Sequence, residues 1–356
     1  MLPDISKATN PRRHRREGPN ADTEGAQEFQ RQYPIEARRY NWIQNQVLWP
    51  LRHADVNPIK VDLGTPEELT EHIKNYVLEV GADDVGIAEM DPNFVFADAE
   101  MPAHTRVIAF GVAMKYDMMS DIGANSQREV HRVYFKMLDI GVRVAQYIGA
   151  FGYTATAHPN GGELAHIPFS YLAGLGELGK HGSLISPKFG SSWRLSLVST
   201  DLPLVVDGPQ DYGIDAMCDR CNVCTRFCPG DAIHPEKKEV NGVLRFHVDT
   251  PACEPYFQRL WGCKICLMVC PFNGRSVFKE GYRNIAKTWL RQRTTRATCR
   301  CLPPTRPTPT ATWSSPSTWT AASPSSVFKA IEVGRPGRKC GARLPHLRVS
   351  KERTPA

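Results

Sequence analysis

No cysteine occurs before Cys218, and no apolar run approaches the ~18 residues that a bilayer crossing needs. The first absence confines thiolate chemistry to the later part of the chain, and the second argues against a membrane span. An export signal is missing too. The basic run Arg12-Arg13-His14-Arg15-Arg16 leads into Glu17-Gly18-Pro19-Asn20-Ala21-Asp22 rather than into apolar residues, so it reads as a solvated basic arm. A cytoplasmic protein is therefore expected, in which disulfides are out of place. Positive charge is scarce where it would matter for a polyanion. The formal balance is +7, but from Lys287 onward fourteen Lys and Arg face only Glu332 and Glu352, which leaves residues 1 to 286 net acidic. No nucleic-acid partner is expected on this ground.

What the chain does hold is concentrated. Eight of its eleven cysteines fall between Cys218 and Cys270. Cys218, Cys221, Cys224 and Cys228 followed by Pro229 form C-x2-C-x2-C-x3-C-P, the run that binds a [4Fe-4S] cluster in bacterial ferredoxins, where the fourth cysteine crosses to the other cluster. On that pattern Cys218, Cys221 and Cys224 are completed by Cys270. The second run has Leu260 where its first cysteine would fall, so Cys253, on a longer loop, is expected to join Cys228, Cys263 and Cys266. Zinc would be satisfied by four thiolates per site without calling for this run twice. Two clusters in one stretch of chain form an electron wire.

With 41% hydrophobic residues in 356, the chain is long enough for one large domain or two. Thr65-Pro66-Glu67-Glu68 is a capping box with proline at the first helical position, and Leu69, Ile73, Val77 and Val80 continue one apolar face as far as Gly81. Val85 to Ala88 and Val107 to Ala113 read as buried strands, 126 to 150 as a long helix, and Tyr153 to Ala157 and Leu195 to Ser199 as further strands. This alternation predicts an α/β (α+β) layer fold ahead of the cysteines. Between the last two strands, Gly174, Gly176, Gly179 and Gly182 suit either a tight turn or a loop that approaches a flat ligand closely. The spacing follows no clear strand and lacks the downstream acid of a dinucleotide fingerprint. After Trp289 the Pro, Ser and Thr-rich composition loses all periodicity, and Cys299, Cys301 and Cys340 sit in no ligand spacing; the tail reads as disordered or as out-of-frame translation. The expected organisation is an arm over 1–45, an α/β domain over 46–210, a cluster domain over 211–285 and a tail over 286–356.

Ala173-Gly174-Leu175-Gly176-Glu177, Ser186-Pro187-Lys188-Phe189-Gly190, Thr200-Asp201-Leu202-Pro203-Leu204 and the two cysteine runs, in that order, resemble the corrinoid iron-sulfur reductive dehalogenases and their relatives, the epoxyqueuosine reductases. The resemblance covers about 65 to 285. It implies a nitroreductase-like domain holding cobalamin, followed by a ferredoxin-like domain with two [4Fe-4S] clusters, and removal of halide from a small organohalide by Co(I) with electrons relayed through the clusters. The electrons would come from reduced ferredoxin, flavodoxin or a reductase. Tyr134 looks like the family's proton donor, with Arg194 as its cationic partner and Lys188 as second choice, because a nearby cation favours the phenolate. His158, Gly174, Gly176, Lys180, His181 and Gly182 are the implied cofactor contacts. No D-x-H-x-x-G segment supplies a histidine ligand to the corrinoid, so a base-off cobalt is expected. Against an epoxyqueuosine reductase stands Val133, where the resemblance puts an aspartate. A plain two-cluster electron carrier and an inactive truncated dehalogenase are the remaining readings, the second because the family's chain continues beyond the second cluster to help close the pocket.

Overall fold

The computed structural model describes residues 29–273. The expected tail over 286–356 and most of the expected arm lie outside the described residues. The helices, in chain order, are α1 (Ile35–Ile43), α2 (Pro66–Glu79), α3 (Tyr116–Met119), α4 (Ala124–Ala150), α5 (His166–Leu172), α6 (Ile214–Arg220), α7 (Val223–Phe227), α8 (Thr250–Arg259) and α9 (Ile265–Met268). The strands are β1 (Asp84–Glu89), β2 (Arg106–Ala113), β3 (Ala155–His158), β4 (Glu177–Leu178), β5 (Leu184–Ile185), β6 (Trp193–Thr200), β7 (Lys238–Val240) and β8 (Val243–Arg245). None of the described helices is long and apolar enough to cross a membrane.

The capping box forms as the sequence predicts. Thr65 Oγ1 accepts from Glu68 N–H at 3.3 Å, Glu68 Oε2 accepts from Thr65 N–H at 3.0 Å, and α2 buries Leu69, Ile73 and Val77. Four strands make the main sheet in the order β1-β2-β6-β3, each neighbouring pair antiparallel, with Ile87 opposite Ile108, Ile108 opposite Val198 and Val198 opposite Ala157. An antiparallel sheet with one wet face would alternate apolar and polar residues; β2 is apolar from Val107 to Ala113 because both its faces are covered. Ile108, Phe110 and Val112 join Val133, Met137 and Ile148 of α4 on one side. Val107 and Ala109 join Phe169 of α5 and Trp193 on the other. Each such side chain taken out of water contributes roughly 1.5–3 kcal/mol.

Part of the expected arm is folded. Phe29 and Tyr33 meet edge to face at 5.2 Å, Ala37 of α1 is fully buried, and Tyr40 lies 5.5 Å from Phe135 of α4. Spaced aromatics anchor this segment, and its polar average conceals them. The expected boundary at 210/211 is also crossed by contacts. Ile185 of β5 shares a small core with Ile214, Cys218, Phe246 and Cys270, and Ser191 Oγ donates to Leu267 O at 2.8 Å. The described part of the cysteine segment falls in the same compact unit as the sheet.

Gly111 of β2 lies against the indole of Trp193, and a Cβ there would run into the ring. Trp193 cannot swing away, since its Nε1 donates to Leu184 O at 3.0 Å. Gly111→Ala is expected to lower stability by about 1–3 kcal/mol through overpacking, and chemical denaturation measures it; an unchanged midpoint would mean that the indole can move.

Candidate redox and proton-transfer site

The eight cysteines line two cavities. Cys218, Cys221, Cys224 and Cys270 surround the first, with Lys180, His181, Pro271 and Phe272. Cys228, Cys253, Cys263 and Cys266 surround the second, with His181, Val248 and Tyr256. These are the two groups of four into which the crossed spacing divides them, and all eight are free thiols. Among the described residues no three His, Cys, Asp or Glu side chains converge as they would on a single ion. The thiols instead stand around spaces to which several elements contribute.

Short helices set those positions. Cys218 lies in α6, Cys224 in α7 and Cys266 in α9, while Cys221 and Cys228 are the extended residues that end α6 and α7. Cys253 sits on α8 rather than on a loop. Asp249 caps that helix by accepting from Ala252 N–H at 3.2 Å, and Pro251 follows in its first turn, a start signal present in the sequence. Leu260 is the residue at which α8 stops, and Trp261 and Gly262, both at positive φ, turn the chain toward Cys263.

Burial pushes the thiols up: Cys224 to about 11 and Cys270 to about 12, and Cys218 and Cys266 also well above the ordinary value. Backbone N–H groups oppose this, from Lys180 toward Cys218, from Phe272 toward Cys270 and from Ile265 toward Cys263, and Ala232 N–H donates to Cys228 Sγ at 3.3 Å. The set suits thiolates that bind a positive metal centre, which makes the ionised form the stable one.

The glycine-rich loop closes onto this region. A Cβ at Gly176 would meet the Ile185 carbonyl, one at Gly179 the Ile185 side chain, and Gly182, at φ +79°, faces Val248. Gly174, at φ +73°, faces Gly208 O. These glycines permit the tight β4–β5 hairpin and close approaches of protein to protein, the first of the two roles that the sequence allows them. Lys180 is fully buried; its Nζ donates to Asn222 Oδ1 at 2.7 Å and to Pro235 O at 2.8 Å. His181 lines both cavities, burial pushes it down to about 4, and its Nε2 has no hydrogen-bond partner among the described residues. His158 is committed elsewhere. Its ring bonds Glu163 Oε2 and Ser199 Oγ, both at 2.7 Å, and Glu163 also pairs with Arg52 at 2.6 Å. Burial alone would raise Glu163, but His158 and Arg52 hold it at about 2.

Tyr134 of α4 and Arg194 of β6 are brought together: the guanidinium carbon lies 5.4 Å from the centre of the phenol ring. Lys188 is not part of this pair. It is mostly exposed and bonds Asp84 Oδ1 at 2.7 Å. Three further residues complete the cluster. His131, one turn before Tyr134, has its ring 6.1 Å away, and Tyr33 lies 4.4 Å from His131. Lys264, nearly fully buried, donates to Ser126 Oγ at 2.9 Å and to Trp261 O. Burial first, then Arg194 and Lys264, push His131 down to about 4; burial first, then Arg194, push Lys264 down to about 8. Burial, with Tyr134 nearby, raises Tyr33 to about 12. His131 was legible as the i−3 neighbour of Tyr134 on one helix face. Lys264 was hidden inside the cysteine motif, and nothing in the sequence points to Tyr33.

No family model matches the chain. The tetrachloroethene reductive dehalogenase of Sulfurospirillum multivorans is 29% identical over 282 residues, 66% of this chain and 56% of that protein. One from Desulfitobacterium hafniense is 27% identical over 243 residues, 64% of this chain and 44% of that protein. The chain thus spans about half the length of these curated relatives. An epoxyqueuosine reductase of Lactococcus garvieae is 31% identical over 150 residues, 40% of this chain and 41% of that protein. Among solved structures, the catabolic reductive dehalogenase NpRdhA superposes with a TM-score of 0.66 at 28% identity, over 75% of this chain and 41% of that one. In sequence and in mixed α/β fold, over the part it shares with them, the chain is a relative of the reductive dehalogenases, which are oxidoreductases, and over a shorter stretch of an epoxyqueuosine reductase.

Proposed function

We propose that the chain carries the redox half of a reductive dehalogenase, replacing carbon-bound halide by hydrogen in a small organohalide: R–X takes up two electrons and one proton and yields R–H and X⁻. The observation that supports this best is the meeting of two four-cysteine cavities with the Tyr134, Arg194 and Lys264 cluster. The cavities would hold two [4Fe-4S] clusters, each passing one electron at a time from a reduced ferredoxin, a flavodoxin or a reductase. Cobalamin, when bound, would supply the two-electron chemistry at the carbon–halogen bond. A solved relative is described as suggesting a mechanism for B12-dependent dehalogenation, and NpRdhA as forming a complex with 3-bromo-4-hydroxybenzoic acid. His158, Gly174, Gly176, Lys180, His181 and Gly182 are the residues that would contact cobalamin, although the glycines also pack against protein and His158 bonds Glu163 and Ser199.

The chain's own contribution is a proton and a charge. Tyr134 would give its phenolic proton to the carbon that loses halide. Arg194, over the ring, and Lys264, beside Arg194, would stabilise the phenolate that remains. His131, neutral above about pH 4, adds no competing positive charge. The epoxyqueuosine reading has less support, because Val133, at the position expected to hold its acid, is fully buried in the core.

Anaerobic reconstitution with iron, sulfide and cobalamin, followed by halide release with a strong reductant, tests this reading; failure to retain a corrinoid would leave a two-cluster electron carrier. Tyr134→Phe is expected to cut dehalogenation by ~10²-fold or more, the range of a general acid, with iron and corrinoid spectra unchanged. Equal turnover would move the acid elsewhere. Cys253→Ala is expected to lower bound iron from about eight to about four per chain, read by iron assay; full occupancy would mean that another ligand substitutes for Cys253.

A further inference from the structure

Lys180 is an unusual residue for its place. Lysine is almost never fully buried unless paired, yet Lys180 is fully buried and finds only neutral acceptors, the amide oxygen of Asn222 and the carbonyl of Pro235. Its ammonium also lies 4.7 Å from the centre of the Phe246 ring. Lys180 lines the first cavity with Cys218, Cys221, Cys224 and Cys270; burial pulls its ammonium down, and negative charge on Cys224, Cys218 and Cys221, then on Asp219, opposes this. Asp219 is half exposed and bonds Lys237 Nζ at 3.0 Å, so its charge is already answered from the surface. The backbone N–H of Lys180 is directed at Cys218 as well. One residue of the β4–β5 hairpin therefore presents both a hydrogen-bond donor and a full positive charge to a single cavity. The second cavity has its own buried neighbour, Lys264, whose charge acts on Cys263 but whose Nζ donates to Ser126 and to Trp261, on the side of Arg194.

The burial of the two sites differs in the opposite direction. Cys218, Cys224 and Cys270 of the first are buried and Cys221 is partly exposed, whereas Cys228, Cys253, Cys263 and Cys266 of the second are all partly exposed. Reduction of a [4Fe-4S] cluster adds one electron and one negative charge, which burial disfavours and a nearby cation favours.

Resting on the iron-sulfur reading above, we propose that Lys180 is a built-in counter-charge that raises the reduction potential of the cluster held by Cys218, Cys221, Cys224 and Cys270, offsetting the penalty of that site's deeper burial. Lys180 acts through the cluster and is a positioning residue, not a catalytic one. Without it, the first cluster becomes the harder of the two to reduce and obstructs the wire.

Potentiometric titration of the reconstituted protein, followed by the electron paramagnetic resonance of the reduced clusters, tests this without any turnover. Lys180→Met and Lys180→Gln are expected to shift the oxidised-to-reduced ratio of one cluster at least tenfold toward oxidised, about 59 mV for a one-electron couple, leaving the other in place. Lys180→Arg is expected to keep the wild-type value. Glutamine keeps the donor and loses the charge, so a wild-type potential in Lys180→Gln overturns the proposal. So does an equal shift of both clusters, or loss of iron in all three Lys180 variants, arginine included, since Lys180 would then be a packing residue. Loss of iron in the methionine and glutamine variants alone supports it. A wild-type chain that binds no iron sinks the iron-sulfur reading and the inference together; about eight irons with unmoved potentials in the variants sinks the inference alone.

Discussion

Burying a thiolate is the constraint on which the rest of this structure turns. Moving Cys270 from its ordinary value of 9.0 to about 12 makes ionisation harder by about 4 kcal/mol, and it is one of eight cysteines gathered at two points. A protein can meet that cost by leaving the sulfurs protonated or by surrounding them with donors and cations. Here the second course is visible in the backbone: N–H groups of Lys180, Ala232, Ile265 and Phe272 are turned toward sulfur. Ser191 adds a side-chain bond to Cys270. Such donors do little for an apolar pair of thiols, and they suit sulfurs that carry negative charge when their ligand is bound.

Meeting this constraint from one side alone is geometrically hard, which explains why the α/β part and the cysteine segment are not separable. A single stretch, residues 190 to 194, makes two of the links and holds the cation that faces Tyr134. Gly190 lies against the Phe272 carbonyl, Ser191 bonds Leu267 O, and Arg194 covers Tyr134. Trp193, between them, ties the stretch to Leu184 of the hairpin that carries Lys180 and His181. The strand that follows is β6, paired on both edges within a sheet covered on both faces. Arg194 is thus held at the start of a rigid element, as a group that must stabilise charge without moving requires.

The legible features were those with local rules behind them. The helix opening at Thr65, the long α4 and the apolar strands follow from capping chemistry and period, and the grouping of the cysteines follows from spacing. Two kinds of feature escaped. The glycine loop allows two readings, because a glycine needed for a tight hairpin looks like one needed beside a ligand; the position of Ile185 shows the first of these. Tyr33 and α1 escaped because a polar segment held by a few spaced aromatics has neither an apolar stripe nor a cap to announce it. Lys188 stands out in the sequence and Lys264 does not for a related reason. A lysine between two cysteines of a motif reads as filler, whereas one in a conspicuous Ser-Pro-Lys-Phe-Gly turn attracts notice, although that turn directs it to Asp84.

On the proposed reading, Lys264 also joins the electron and proton sides of the site. It follows Cys263 directly and reaches past that cysteine to Ser126, at the foot of the helix that carries His131 and Tyr134. Lys264 and Arg194 repel one another, which together with burial brings Lys264 down to about 8. Two cations share a pocket only where negative charge is available, and the groups that favour the charge of Lys264 are Cys263 and Asp121, while the Tyr134 oxygen, once deprotonated, would face Arg194. On the proposed reading, charge arriving at the second cavity and charge left behind by a departing proton would therefore be felt by this pair of cations. A neutral His131 follows from the same arrangement, since a third positive charge there would be opposed by both cations.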